Sequence, residues 1–485
     1  RSSRRGGNGH RRTHKSGVRR GFVVLAFGQL VSIASGYGTH VLLARRLGPA
    51  EYGTYGVIIY VLSTVTLVLT AGVPEAIAKF AAEDPAHASA IFARGIRMQL
   101  AFAAVVAVGF AAVAPVLARL LNDVSLTRYL AMSALSVPPV AAYALVVGAF
   151  NGQRRFGLQS AVVGGNGALR FGLIMGFVPF FRVMGGVMGF IIAPLVVITL
   201  SLPLIMRRGQ SASVDARMLW RFARPVIVFT VALNLLMSVD VFVVKALARV
   251  PEDIGYYTAA ATIGRIPYFV FSTLGVVLLP VVSAAASREA AERVVRTALR
   301  WVFLASMLTS AVMVGLSTAA LRLLYGEAYT WGAVPLSLLS VSGTFFTMFF
   351  IVAYALNGLG NPSLGMRLAL GGVALEGVLT VFLVRVQGAT GAATASCVVS
   401  IVSTATLLLA ARPHLGAALH LRTIGRGVAA MFGTIAVAHL LPRGGPFAMF
   451  WAVPLALVNV ALLVASREIS LAELLPGRDG ESLRP

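Results

Sequence analysis

From about residue 22 to residue 465 the chain is a succession of apolar runs of around twenty residues separated by short polar turns, which narrows its possible folds more than any motif does. An α-helix rises 1.5 Å per residue, so about twenty apolar residues cross the ~30 Å hydrocarbon core, where no water can satisfy an open backbone. A chain made almost wholly of such runs is an all-α polytopic membrane protein. Composition agrees, with 58% of 485 residues apolar and only 12% charged. The runs fall at about residues 22–43, 52–73, 96–117, 129–150, 158–181, 187–205, 222–247, 256–281, 301–320, 334–356, 364–384, 389–411, 424–440 and 447–465, which makes fourteen expected transmembrane helices. The first is longer than the core of a secretory signal and is read as an uncleaved helix.

The polar stretch LARRLGPAEYGTY (residues 43–55) has an echo, KALARVPEDIGYY (residues 245–257), at an offset of 202. Pro49 meets Pro251, Gly53 meets Gly255 and Tyr55 meets Tyr257, with the acids Glu51 and Asp253 also aligned. Asn151-Gly152 recurs as Asn357-Gly358 at 206, and Gly186 and Gly189 match Gly388 and Gly391 at 202. Internal duplication follows. The expected plan is a basic tail (1–20), a six-helix bundle (21–206), a linker (207–221), a second six-helix bundle (222–412), two additional helices (413–466) and a tail (467–485). Tail 1–20, rich in Gly, Ser and Arg, is expected to be disordered and able to touch anionic lipid. Six helices per half is an even number, so both halves enter from one side. That is a parallel repeat about a pseudo-two-fold axis along the membrane normal.

The formal charge of +24 could suggest nucleic acid, but the basic residues sit in the short loops. With the N-terminal tail cytoplasmic, about 29 Lys and Arg fall inside, about 9 outside and 3 within helices, in the sense of the positive-inside rule. A multi-pass plasma-membrane protein with both termini cytoplasmic is expected, and nucleic acid is not a partner. The lone Cys397 lies in an apolar run, which excludes a disulfide framework or thiolate metal cluster.

The opening, an apolar run, LARRLGPAEYGTYG, and a second run ending near AGVPEAIAKFAAE, resembles the polysaccharide-export flippases of the multidrug/oligosaccharidyl-lipid/polysaccharide superfamily. So does NLLMSVDVFVVKALARVPEDIGYYTAAATIGRIPYFV at the start of the second half, and the resemblance spans about residues 18–411. It implies a flippase that turns over an undecaprenyl-diphosphate-linked oligosaccharide from the inner to the outer leaflet by alternating access. Partners implied are that lipid-linked sugar, membrane lipids, and a polysaccharide polymerase or glycosyltransferases. Fourteen helices also match relatives that flip the peptidoglycan precursor lipid II, and a cation-coupled drug antiporter is a further alternative.

Ionisable groups inside the membrane mark candidate sites, because each needs a partner or a wet cavity. Asp240 and Arg265 lie equally far from the middle of the hairpin between the seventh and eighth runs, hence at one depth. They form either a self-neutralising ion pair or a site in which Arg265 grips the lipid diphosphate, since a guanidinium fork fits phosphate oxygens. The resemblance places the first, second, seventh and eighth helices around the cavity. Lys245 lies nearer the outer face, where it can snorkel. Gln29 and Asn234 could meet sugar hydroxyls or bond across helices. Arg170 and Glu376 occupy equivalent positions, 206 apart, as intramembrane ion partners. The hairpins carrying Pro49, Gly53, Pro251 and Gly255 are the expected outer gate. Neither a GxxxxGK[ST] loop nor an HExxH motif occurs, and no cofactor or metal is expected. A membrane glycosyltransferase or polymerase would need a catalytic acid on a sizeable outer loop, and the outer loops here are short. The expectation is a transporter, not an enzyme.

Overall fold

The computed structural model describes residues 7–71, 74, 88–153, 155–205, 216–283, 285, 287–416, 419–442, 446–470 and 473. They are helical, with no strand among the described residues, as the apolar runs require. In chain order the helices are α1 (Gly7–Thr70), α2 (Ala88–Leu120), α3 (Leu126–Ser133), α4 (Val137–Gly152), α5 (Phe156–Phe181), α6 (Val183–Ile205), α7 (Ala216–Leu236), α8 (Val239–Leu247) and α9 (Asp253–Gly264). They continue as α10 (Ile266–Ser283), α11 (Arg288–Gly315), α12 (Ser317–Leu324), α13 (Ala333–Gly358), α14 (Pro362–Gln387), α15 (Ala389–Leu415), α16 (Leu421–Leu440) and α17 (Ala452–Ala465).

Eleven of the described helices are long and apolar enough to cross a membrane, or twelve when α7 and α8, bent by 46°, count as one span. The expected fourteen is not reached by that criterion. One reason is that residues 23–70 count once although they run for 48 residues and turn at Gly48, whose φ of 76° only glycine adopts freely. The other is that α9 and α10 are separated at Arg265 and neither qualifies alone. α1 begins at Gly7, so helix reaches into the stretch expected to be a disordered tail. Extending a formed helix costs far less than nucleating one. Residues 1–6, most of the linker (206–215) and the end of the C-terminal tail (474–485) lie outside the described residues.

The chain divides into two compact units, residues 1–234 and 235–485, so the boundary falls inside α7 rather than in the expected linker. In the first unit α1 lies along α5, and α2, α4 and α6 pack together. Apolar burial drives little between helices in lipid, so close approach of small residues does the work. A Cβ on Gly28 would fall 2.4 Å from Ser160 Oγ and one on Gly167 would fall 2.7 Å from Ser32 Cα, which puts the α1–α5 seam on these positions. Ser160 Oγ also donates to the Val24 carbonyl at 2.6 Å. Gly172 and Gly176, a pair with the spacing of a packing motif, face open space instead.

The second unit is built around α13, which is in contact with α9, α10, α11, α14 and α15. Hydroxyls sew this bundle together: Ser310 Oγ donates to Ser340 O (2.7 Å), Ser342 Oγ to Ser396 O (3.0 Å) and Thr404 Oγ1 to Phe345 O (2.7 Å). In the last hairpin Asn459 Nδ2, on α17, donates to Thr434 Oγ1, on α16, at 3.0 Å.

The duplication is visible in the turns, and it corrects the register of one pairing. Arg182, between α5 and α6, and Gly388, between α14 and α15, both have positive φ (49° and 60°), and they are 206 apart. Three residues on, a Cβ at Gly185 would strike the Phe177 backbone and one at Gly391 the Leu383 backbone, again 206 apart in both members. Gly185 is therefore the partner of Gly391. The 202 offset pairing Gly186 with Gly388 and Gly189 with Gly391 is one helical turn out, because four residues are gained between the first hairpin and the Asn-Gly pair.

Candidate functional site

The ionisable groups of the second unit meet where two spans break. Asp240 lies in the first turn of α8, and Arg265 is the residue on which α9 ends. An acid at a helix start and a base at a helix end both suit the local backbone dipole. Asp240 Oδ1 also accepts from the Val241 N–H at 2.8 Å. Asp240 Oδ2 accepts from Arg265 Nη2 at 2.5 Å, and the two residues are 1% and 3% exposed. The equal-depth argument thus finds its physical counterpart: each charge cancels the other at a break where backbone groups are released.

Two further side chains complete the cluster, and neither was singled out from the sequence as a site residue. Tyr257 Oη donates to Asp240 Oδ2 at 2.5 Å. Ser396 Oγ, from α15, lies 3.1 Å from the same oxygen and 2.5 Å from Glu376 Oε1, and its single hydrogen serves the shorter contact. Glu376 is fully buried. Asp240 thus pairs with the one guanidinium of the cluster and takes a further donor from Tyr257, while Glu376 is joined to it through Ser396, with its Oε2 buried without a hydrogen-bond partner among the described residues. Tyr257 stood in the sequence as the repeat partner of Tyr55. Ser396 carried no sequence signal, since only folding brings α15 beside α8 and α14.

In the first unit Arg170 lies over the Phe190 ring, 4.5 Å from its centroid, and no carboxylate pairs with it among the described residues. Tyr55, Tyr143 and His40 lie within its electrostatic reach. His40 Nδ1 is 3.0 Å from Tyr52 Oη. Arg170 and Glu376, expected as ion partners, thus sit in separate environments of quite different chemistry. Asn234 Oδ1 accepts from Thr64 Oγ1 at 2.9 Å, which is a bond across helices. Gln29 is exposed on α1, and Lys245 is half-buried in the last turn of α8. Cys397 is a free thiol on α15.

The hairpin residues are placed at turns. Gly48 and Pro49 bend the chain, and Glu51 accepts from Arg182 Nε at 2.7 and 2.8 Å, tying the first hairpin of this unit to its last. Gly53 is buried beneath it. In the second unit Pro251 precedes α9 and Gly255 is buried in its first turn. Asp253 lines a cavity of about 250 Å³ with Arg249 and Arg385. Among the described residues no group of three or more His, Cys, Asp or Glu is set to hold a metal ion.

The apolar helices define a multi-pass membrane protein, with one fully buried ion pair, Asp240–Arg265, among the described residues. The model of a family described as polysaccharide biosynthesis proteins matches residues 42–333, more than half of the chain, and the chain belongs to that family. No curated protein matches its sequence. Among solved structures it is similar to the lipid II flippase MurJ in an inward closed conformation, at a TM-score of 0.76 and 14% identity, over 93% of this chain and 99% of that one. It is also similar to a multidrug resistance MATE family transporter of the MOP superfamily in an inward-facing conformation (TM-score 0.66, 14% identity, 82% and 98% covered). A MOP superfamily transporter from Pyrococcus furiosus described as having a binding pocket of reverse polarity is a further relative in fold (TM-score 0.59, 14% identity, 82% and 96% covered). At these identities the likeness is one of fold.

Proposed function

We propose that this chain is a flippase that carries an undecaprenyl-diphosphate-linked oligosaccharide from the inner to the outer leaflet of the plasma membrane by alternating access. The observation that carries the reading is the family match to polysaccharide biosynthesis proteins on a chain that shares its fold with a lipid II flippase almost end to end. The described residues hold eleven or twelve helices long and apolar enough to cross a membrane, the framework that a lipid-linked cargo requires. Both termini face the cytoplasm in this reading, and a polymerase or glycosyltransferases act beside it. The hairpins at 48–53 and 250–255 form the outer gate. Arg265 and Asp240 serve as a charge pair that holds α8 against the α9–α10 break, and Arg265 becomes available to a diphosphate only if that pair opens.

A second reading, flipping of lipid II itself, is favoured by the higher TM-score to MurJ than to the MATE transporters. Removal of the protein separates the two. The cytoplasmic leaflet is expected to accumulate a lipid-linked oligosaccharide other than lipid II, detected by mass spectrometry of the extracted lipid. Accumulation of lipid II would replace the first reading with the second, and no accumulation of either would remove both.

A further inference from the structure

At one end of the second unit, where α11 and α16 begin and α15 and α17 finish, six guanidinium groups line a single cavity of about 800 Å³. Arg296 and Arg300 come from α11, Arg412 from the last turn of α15, Arg422 and Arg426 from the start of α16, and Arg467 from just beyond α17. Glu468 is the one acid in the lining, and it is already engaged. It accepts from Arg300 Nε (3.2 Å), Arg426 Nη1 (3.1 Å) and Thr423 Oγ1 (2.8 Å), and Glu473 accepts from Arg300 Nη1 at 3.1 Å. Arg296, Arg412, Arg422 and Arg467 have no carboxylate partner among the described residues. The Nε of Arg296 is buried without any hydrogen-bond acceptor.

Two more features point to an anion. α16 opens into the cavity through Leu421, Arg422 and Thr423 with no acid in its first turn, and the His420 side chain does not cap it. Its free N–H groups and its dipole add to the positive field. The cavity also lies at the ends of helices long and apolar enough to cross a membrane, where a headgroup would be met. Its lining Leu421 is 82% exposed on a membrane helix, and Trp301, the kind of residue that marks the interface, lies under Arg300 at 5.5 Å.

We propose that this cavity binds a phospholipid headgroup bearing two phosphodiester anions, drawn in and neutralised by the positive charge of the four unmatched arginines. The site is separate from the Asp240–Arg265 cluster and does not depend on which sugar is carried. The bound lipid neutralises a cluster that otherwise repels itself, and so clasps α16 and α17 to α11 and α15.

The test uses the full-length protein in nanodiscs of phosphatidylcholine with and without cardiolipin, and reads lipid retention by native mass spectrometry and the thermal unfolding midpoint. The triple variant R296Q/R412Q/R422Q removes unmatched charges only, so it leaves Glu468 with both of its arginines. It is expected to bind cardiolipin on the order of a hundredfold more weakly and to lose the cardiolipin-dependent rise in midpoint, with its midpoint in pure phosphatidylcholine kept. R296K/R412K/R422K is expected to retain most of the binding, and R385Q, at the far end of the helices, all of it. Equal retention by wild type and a folded triple variant would overturn the proposal. So would failure of the lysine variant to bind although monodisperse, since a field of positive charge would then not be the cause. Inorganic pyrophosphate that binds the cavity and displaces cardiolipin at equal concentration would overturn the lipid source in favour of a soluble phosphate.

Discussion

The helix pair α5–α6 in the first unit and the pair α14–α15 in the second turn at the same place and press a glycine against the same preceding carbonyl, yet they carry charges of opposite sign, Arg170 half-buried and Glu376 fully buried. In the first, Arg170 rests on the ring of Phe190; in the second, Glu376 accepts from Ser396, and both contacts span twenty residues at the same 206 offset. One contact position has been kept and its chemistry exchanged. A cation can be steadied by the negative face of an aromatic ring, whereas a carboxylate there needs an O–H or N–H donor. The consequence spreads further in the second unit, where Ser396 links Glu376 to Asp240, Arg265 and Tyr257. Arg170 rests on a ring, with no carboxylate paired to it among the described residues. The first unit thus holds a local solution and the second a network, and the network is where single substitutions are expected to be most costly.

The largest effect follows from breaking that network. Asp240→Asn or Arg265→Gln alone leaves a buried charge without its partner and is expected to cost about 3–5 kcal/mol, seen as a fall in thermal midpoint and in folded yield. The double variant should recover much of the loss, which a double-mutant cycle measures. If Arg265→Gln folds normally and exports normally, the network view of the second unit is broken.

A smaller effect is expected one contact out. Ser396→Ala removes the donor to Glu376 and should cost about 1–3 kcal/mol. Phe190→Leu, at the equivalent position, leaves Arg170 in apolar surroundings without its ring and should cost about 1–2 kcal/mol. A Phe190→Leu penalty that clearly exceeds that of Ser396→Ala in the same unfolding assay would reverse the comparison.

The smallest effect lies at the hairpins. Glu51 and Arg182 are 37% and 60% exposed, so Glu51→Gln should cost no more than about 1 kcal/mol, less at high salt. Asp253, its repeat partner, makes no ion pair among the described residues, and Asp253→Asn should leave the midpoint unchanged. A salt-sensitive loss on Asp253→Asn equal to that of Glu51→Gln would show that the second hairpin is clasped as the first is.

Much of this molecule was legible before any folding was considered. The lengths of the apolar runs dictate membrane-spanning helices, because lipid leaves the backbone no other partner than itself. The depth of Asp240 and Arg265 followed from counting residues either side of a hairpin, and a helix rises by a constant amount. The repeat was readable at Pro49, Gly53 and Tyr55, where a turn restricts the residue types it accepts. Elsewhere it slipped by a turn, since several glycines stand close together and only the backbone approach at Gly185 and Gly391 tells which one is pressed.

What the tertiary structure alone decided are the contacts between elements distant in sequence. Ser396 is one of many serines until α15 brings it between two carboxylates. Arg296, Arg412, Arg422 and Arg467 read as ordinary loop charges until four helix ends gather them round one cavity. The partners of Arg170 and Glu376 could not be read from their equivalence in the repeat either, since Phe190 and Ser396 occupy equivalent places and differ in chemistry. Periodicity and length act along the chain and are written in it, while the partner that satisfies a buried charge is chosen by packing in three dimensions.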